Sequence, residues 1–259
     1  MKDIKAIFFD VDGTLLDSVT HTIPASTVET LIRLKDKGYK LGIATGRNFS
    51  DCKKAGVTEI IAWDGFVTSN GQQLYDRHQQ RFYHSVMDPD VVRQIEQIVI
   101  EDGLNMQFEG QPDFMRFESD ENVLAAHAFF KIPVPALVKP YQGEDVDMIL
   151  VYAPKGYDYK KFMELNGTLV MPGESTYADI ISSDHSKYTG IRQMLDHWGM
   201  PDSYIAFGDS LNDMEMFRHA DISVALGNGN ALLKEKATLV TAAVSDDGIY
   251  QACIKLNLL

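Results

Sequence analysis

The stretch KAIFFDVDGTLLD, residues 5–17, decides how the rest of the chain is read. Ala6, Ile7, Phe8 and Phe9 form a short run with no polar face, the pattern of a parallel strand buried on both sides. Two aspartates one residue apart, Asp10 and Asp12, end that run and lead straight into Gly13-Thr14. In an extended chain positions i and i+2 point the same way, so the two carboxylates are expected to crowd together at a strand end. At about 6 Å and an effective dielectric of about 20 the repulsion costs roughly 3 kcal/mol. A compensating positive charge is therefore expected beside them.

Working outward, IPASTVETLIRLKDKG (23–38) reads as a helix. Ser26 and Glu29 suggest a capping box, Val28, Leu31 and Ile32 a stripe, and Gly38 a stop. YKLGIATGR (39–47) and EIIAWDGFVTSNG (59–71) read as the next two strands, the second closing on the turn signal Asn70-Gly71. This β-α-β alternation predicts an α/β core with a doubly wound parallel sheet. In such sheets ligands bind beyond the carboxyl ends of the strands, where Asp10, Asp12 and Thr45 fall.

The texture changes near residue 84. A helix over 88–103, short alternating stretches, NVLAAHAFFK, a Pro-punctuated loop over 133–140 and the paired strands VDMILVYAP, GTLVMPG and TYADIIS suggest an α+β module with an antiparallel sheet. The doubly wound pattern resumes at SKYTGIRQMLDHWG and continues through SYIAFGDSLND, DISVALGNGN and TLVTAAV. The expected organisation is a core of residues 1–83 and 184–259 split by an inserted module, 84–183. A binding crevice between the two is the expected ligand site.

Composition narrows the function classes. The chain has 259 residues, 45 % of them hydrophobic, and a net charge of −13, which disfavours a polyanion such as DNA or RNA as partner. A small anionic substrate stays compatible, because a bound metal ion overrides the global field locally. No run approaches the roughly 18 apolar residues of a membrane helix, and the opening residues do not resemble a signal peptide. Cys52 and Cys253 have no metal spacing and read as ordinary thiols of a reducing compartment, so a cytoplasmic location is expected. The seven histidines show no metal-binding spacing. Trp63 and Trp198 read as packing residues, and Phe108, Phe114 and Phe117, interleaved with acidic side chains, do not suit nucleic-acid stacking.

GDSLND (208–213) repeats the oddity of the opening: Asp209 ends an apolar strand and Asp213 follows four residues later. Four carboxylates at the ends of strands in one sheet suit a hard divalent cation, Mg²⁺, held by one or two of them together with waters and a substrate phosphate. Gly13 allows backbone amides to approach phosphate oxygens, Thr45 offers a hydroxyl and Lys187 a point charge. A carboxylate among them can act as nucleophile.

DVDGT, IATGR, a lone lysine before a helix and GDSLND stand in the order of the four motifs of the haloacid dehalogenase superfamily, which the chain resembles along its whole length. The inserted module resembles the large α/β cap of the superfamily's Cof-type phosphatase branch. This resemblance implies a phosphatase acting on a small phosphomonoester such as a sugar phosphate, nucleotide or cofactor phosphate. It implies Asp10 as nucleophile and Asp12 as the acid that protonates the leaving oxygen and then the base that activates water. Asp10, the backbone carbonyl of Asp12 and Asp209 match the Mg²⁺ ligands, with Asp213 orienting metal-bound water. Thr45 and Lys187 match the phosphate-binding pair, and Gly46, Arg47 and Asn212 the substrate contacts. The nearest rival is a sugar phosphomutase or phosphotransferase of the same superfamily. From another class, a Mg²⁺-dependent phospho-acceptor switch leaves Asp12 and the insertion without a purpose.

Overall fold

The computed structural model describes residues 4–173 and 175–259. Backbone proximity divides the chain into two compact units, one running to His84 and resuming over Ser186–Leu259, the other Ser85–His185.

The first unit is built on a sheet that has eight strands among the described residues: β1 (Ala6–Phe9), β2 (Lys40–Ala44), β3 (Gly65–Thr68), β4 (Gln73–Asp76) and β5 (Arg81–His84), then β11 (Ile205–Gly208), β12 (Ile222–Ala225) and β13 (Leu239–Val240). Their spatial order is β13-β12-β11-β1-β2-β3-β4-β5. The strands from β13 to β3 are parallel, and β4 and β5 fold back as an antiparallel extension. β1 lies between β2 and β11, with Phe9 opposite Ile43 on one side and Phe207 on the other. The chain winds one way from β1 through β2 and β3 and the other way through β11 and β12. The carboxyl end of β1 is therefore the switch point of the winding, where open α/β sheets form their ligand crevice.

Helices α1 (Ala25–Asp36), α2 (Phe49–Lys54), α6 (Lys187–His197), α7 (Met214–His219), α8 (Ala231–Lys236) and α9 (Gly248–Lys255) complete this unit. One apolar cluster joins Ile7, Phe9, Leu31 and Leu34 to Ile249 and Cys253, and another joins Ala6, Phe8 and Val67 to Ile191, Met194 and Phe217. The alternation Ile7/Phe9 against Ala6/Phe8 thus fills both faces of β1, as its unbroken apolar run requires. Cys52 and Cys253 are free, buried thiols. Trp63 donates its indole N–H to the Val57 carbonyl and Trp198 stacks on Phe8.

The second unit carries a sheet of order β7-β6-β8-β10-β9, antiparallel throughout, made of β6 (Asn105–Gly110), β7 (Phe114–Met115), β8 (Val146–Tyr152), β9 (Thr168–Pro172) and β10 (Tyr177–Ser182). Helix α3 (Pro89–Glu101) buries Val92, Ile95 and Val99 in one cluster with Phe108 and Phe114, and α4 (Glu121–Phe130) buries Val123 and Ala126 in another with Met148 and Tyr152. A short helix, α5 (Lys160–Met163), packs Phe162 into the first of these clusters.

Three local expectations are corrected. The Ser26–Glu29 capping box is absent: Pro24 stands at the N-cap of α1 without a side-chain cap bond, and the Ser26 hydroxyl donates to Asp247 instead. The strand expected over 59–71 is confined to Gly65–Thr68, because residues 57–59 form a 3₁₀ turn before it. The opening strand ends at Phe9, so Asp10 and Asp12 are not neighbours on an extended chain. The Val11 carbonyl accepts from the N–H groups of Leu15 and Leu16 and curls the segment into a turn.

Candidate active site

Each polar group at the switch point is delivered by the end of a strand or the start of a helix. Asp10 follows β1 and donates its backbone N–H to the Phe207 carbonyl of β11 (3.0 Å). Asp209 follows β11 directly, and Thr45 follows β2 with its N–H bound to Val67 of β3 (2.9 Å). Lys187 is the first residue of α6, whose Ser186 N-cap forms a reciprocal capping box with Thr189. Asp213 closes a 3₁₀ turn, Leu211–Asp213, that leads into α7.

Asp10, Asp209 and Asp213 converge, with one carboxylate oxygen from each lying within 4.8 Å of the others. Lys187, fully buried, divides its ammonium between Asp10 Oδ1 and Asp213 Oδ1, both at 2.7 Å. The second oxygen of Asp213 accepts from the backbone N–H groups of Asp209 and Ser210 (2.9 Å each), so this carboxylate braces the loop that carries Asp209. Asp209 Oδ1 accepts from the Thr14 hydroxyl at 3.0 Å.

Three carboxylates face one ammonium, and the electrostatics reflect the imbalance. Burial, opposed by Lys187 and reinforced by the Asp213 and Asp12 charges, lifts the Asp10 carboxyl to about 7. Burial and the charges of Asp10 and Asp213 hold Asp209 well above the usual carboxylate range. Burial pulls the Lys187 ammonium down, but Asp10 and Asp213 outweigh it and hold it above its ordinary range. A set of hard oxygen donors with two formal negative charges in excess fits a divalent cation of the Mg²⁺, Mn²⁺ or Ca²⁺ class.

The carboxylate of Asp12 lies outside this convergent group. Both its oxygens are taken by Arg47, whose Nε and Nη2 donate at 2.7 Å each in the bidentate fork that suits a carboxylate. The positive charge expected beside the opening aspartates thus comes from two sources already in the protein, Lys187 for Asp10 and Arg47 for Asp12. Sequence reasoning assigned that relief to a divalent cation, with Lys187 also offsetting charge on Asp10, and did not foresee the Arg47 fork on Asp12. Asp213, which has no cation at its helical neighbour positions, is likewise met by Lys187.

Thr45, Gly46 and Arg47 form the loop after β2. The Thr45 hydroxyl accepts from the Arg47 N–H at 3.1 Å, which leaves its own proton to donate outward. A Cβ added to Gly46 would lie 3.3–3.4 Å from the carboxamides of Asn70 and Asn212, so glycine gives both side chains room there. Asn212 donates to Asn70 Oδ1 (3.2 Å) and accepts from the Ser210 hydroxyl (2.6 Å).

Three residues near the site had no role in the sequence reading. Thr14, within DVDGT, holds Asp209. Asn70, within VTSNG, touches Asn212. Asn228, within the GNGN segment (227–230), donates to the Gly13 carbonyl (2.8 Å) and accepts from the Val244 N–H (2.9 Å), fastening the opening turn. In each case the motif was visible but its partner lay up to 215 positions away, beyond the reach of local spacing. His185, adjacent to the cluster in sequence, pairs with Asp184.

Comparison with known proteins places this geometry. The pattern defining the haloacid dehalogenase-like hydrolases matches residues 7–253. The chain is 30 % identical over its full length to a Streptococcus pyogenes protein whose name couples a phosphatase to a peptidyl-prolyl cis-trans isomerase, and it spans 55 % of that relative. It is 30 % identical to the Bacillus subtilis 5-amino-6-(5-phospho-D-ribitylamino)uracil phosphatase YitU, over 94 % of each chain. Among solved structures, a haloalkanoate-superfamily phosphatase of Bacteroides thetaiotaomicron superposes with a TM-score of 0.89 at 26 % identity, covering 99 % of this chain and 96 % of the other. A subclass IIB sugar phosphatase of the superfamily superposes with a TM-score of 0.86 at 26 % identity, over 98 % and 100 %.

Proposed function

Because the chain belongs to the haloacid dehalogenase-like hydrolases, in their Cof-type phosphatase branch, we propose that it hydrolyses small phosphomonoesters through a phosphoryl group carried on Asp10. The observation that carries this reading is the convergence of Asp10, Asp209 and Asp213 around the shared Lys187 ammonium.

Asp10 Oδ attacks phosphorus and the ester P–O bond breaks, giving an aspartyl-phosphate and an alkoxide that takes a proton from Asp12. Water then attacks the phosphoryl group, yields its proton to Asp12, and releases inorganic phosphate and the Asp10 carboxylate. Asp12 needs a proton in the first half-reaction, so its fork with Arg47 opens there and re-forms when the proton has gone. The freed guanidinium then has its donors available to substrate oxygens. Lys187 and the Thr45 hydroxyl bind the transferring phosphoryl oxygens, with Gly46 and Asn212 beside them. Asp10, Asp209 and the backbone carbonyl of Asp12 would hold Mg²⁺, and Asp213 supports that set through the Asp209 N–H. Bound there, Mg²⁺ neutralises the excess charge and draws electron density from the phosphoryl oxygens.

Sugar and polyol phosphates are the first substrates to try, since the names of two relatives describe a phosphoribityl compound and a sugar phosphatase. We assign substrate selection to the unit Ser85–His185. Water, rather than a second sugar hydroxyl, takes the phosphoryl group, which makes the enzyme a hydrolase and not a mutase.

The test is phosphate release from a panel of phosphorylated metabolites in Mg²⁺ and in chelator. Activity in Mg²⁺ that is lost in chelator and lost in Asp10→Asn, with the circular dichroism spectrum retained, supports the reading. Turnover that survives exhaustive metal removal or the Asp10→Asn substitution refutes it.

A further inference from the structure

Residues 69–71 depart from ordinary backbone geometry in a way that the chemistry above does not use. Ser69, Asn70 and Gly71 have φ of 47°, 51° and 99°, three consecutive left-handed residues of which two carry side chains. Such conformations are unfavourable for residues with a Cβ and persist where the surroundings over-determine them. Here the surroundings are identifiable. The Ser69 N–H donates to the Arg47 carbonyl (2.9 Å) and the Asn70 N–H to the Thr45 carbonyl (3.0 Å), so the turn grips the loop after β2 at both ends of Gly46. The Asn70 side chain reaches the other way and accepts from Asn212 in the loop after β11. On a third side Gly71 packs against α6: a Cβ there would lie 2.2 Å from the Ser186 carbonyl, one residue before Lys187.

One buried turn therefore touches the three segments that carry Thr45 and Arg47, Asn212, and Lys187. The Asn70 carboxamide ties it to the loop after β11. Asn is also the residue type besides glycine that most readily holds the left-handed conformation this link requires. We propose that Asn70 is a positioning residue that couples the Thr45–Arg47 loop to the Ser210–Asp213 loop, so that both present their polar groups to the same phosphoryl oxygens. It acts through Asn212. The proposal rests on the phosphomonoester reading for the identity of the ligand and on the hydrogen bonds above for the coupling.

Asn70→Gly keeps the left-handed backbone and deletes only the carboxamide, which isolates the side chain. Loss of one hydrogen bond corresponds to a rise of about threefold to tenfold in KM for p-nitrophenyl phosphate, with kcat changed less than KM. The decisive measurement is a double-mutant cycle with Asn212→Ala in the presence of Mg²⁺. In the Asn212→Ala background, Asn70→Gly adds nothing if the two act as one unit. Should Asn70→Gly not fold, Asn70→Ala takes its place in the cycle. The same four proteins are titrated with inorganic phosphate by calorimetry, which reads the loops without turnover. Non-additive losses of phosphate affinity in a wild type that binds phosphate but hydrolyses no ester support the coupling and sink the hydrolase. Normal hydrolysis with strictly additive effects, or an unchanged KM in Asn70→Gly, overturns the coupling and leaves the hydrolase standing. A wild type that neither binds phosphate nor turns over ester overturns both.

Discussion

Lys187 shows most directly what a single side chain does in this protein. It is a buried ammonium held by two carboxylates, and its removal leaves Asp10, Asp209 and Asp213 facing one another with no positive charge. Breaking a buried pair by removing one partner typically costs about 3–5 kcal/mol, because the other charge stays desolvated. Lys187→Met is therefore expected to lower the metal-free unfolding free energy by roughly that amount. Adding Asp213→Asn to it should return part of the loss, since one stranded carboxylate is gone. Urea unfolding of the single and double variants checks this, and a single variant as stable as wild type would contradict it. The sequence made Asp10, Asp209, Asp213 and Lys187 visible because charged residues stood at the ends of apolar strands or just before a helix. The Asp12–Arg47 fork was not visible. It depends on a turn in which the Val11 carbonyl bends the chain after Phe9, and reading the segment as extended does not bring Arg47 to Asp12.

The strands and helices that present these side chains are held by close contacts at glycines. Gly190 lies in α6, one turn after Lys187, where a Cβ would meet Val67 Cγ1 of β3 at 2.5 Å and Gly71 Cα at 3.0 Å. By helix propensity alone, Gly190→Ala should stabilise α6 by about 1 kcal/mol. The contact to backbone leaves little room to yield, and overpacking of this kind costs about 1–3 kcal/mol. The variant is expected to be net destabilised, with lowered phosphatase activity because α6 and Lys187 shift away from the sheet. A Gly190→Ala protein that melts higher than wild type would mean that the helix accommodates the methyl group freely. Long periodic segments such as α3 and the apolar runs of β1 and β8 were legible in the sequence. The β4–β5 hairpin is not legible, because QLYD and RFYH alternate weakly and follow the Asn-Gly turn that closes the third predicted strand. The Ser26–Glu29 pattern misled for a related reason. Ser26 is engaged by Asp247, from a distant part of the chain that local spacing does not reveal.

The chain as a whole carries a net charge of −13 and concentrates buried carboxylates at one switch point, so its stability should depend on protons and metal together. Burial holds the Asp10 carboxyl near 7 in the folded protein against 3.8 in an unperturbed chain, and Asp209 is shifted the same way. Between those values the folded state keeps protons that the unfolded state has released. Metal-free stability contributed by these groups is therefore present at low pH and lost as pH rises through about 7. A divalent cation replaces those protons, and it must compete with them when the pH is low. Mg²⁺ should accordingly raise the melting temperature more at pH 8 than at pH 5.5. At a concentration about a hundredfold above its dissociation constant, the stabilisation of about 2.7 kcal/mol corresponds to roughly 5–10 °C for a chain of this length. Differential scanning calorimetry at the two pH values, with and without Mg²⁺, measures both shifts. Asp209→Asn should abolish most of the shift at pH 8 while leaving the protein folded. A Mg²⁺ shift equal at both pH values, or larger in acid, would show that the carboxylates at the ends of β1 and β11 are not where the cation exchanges with protons, and that Lys187 and Arg47 already balance the site.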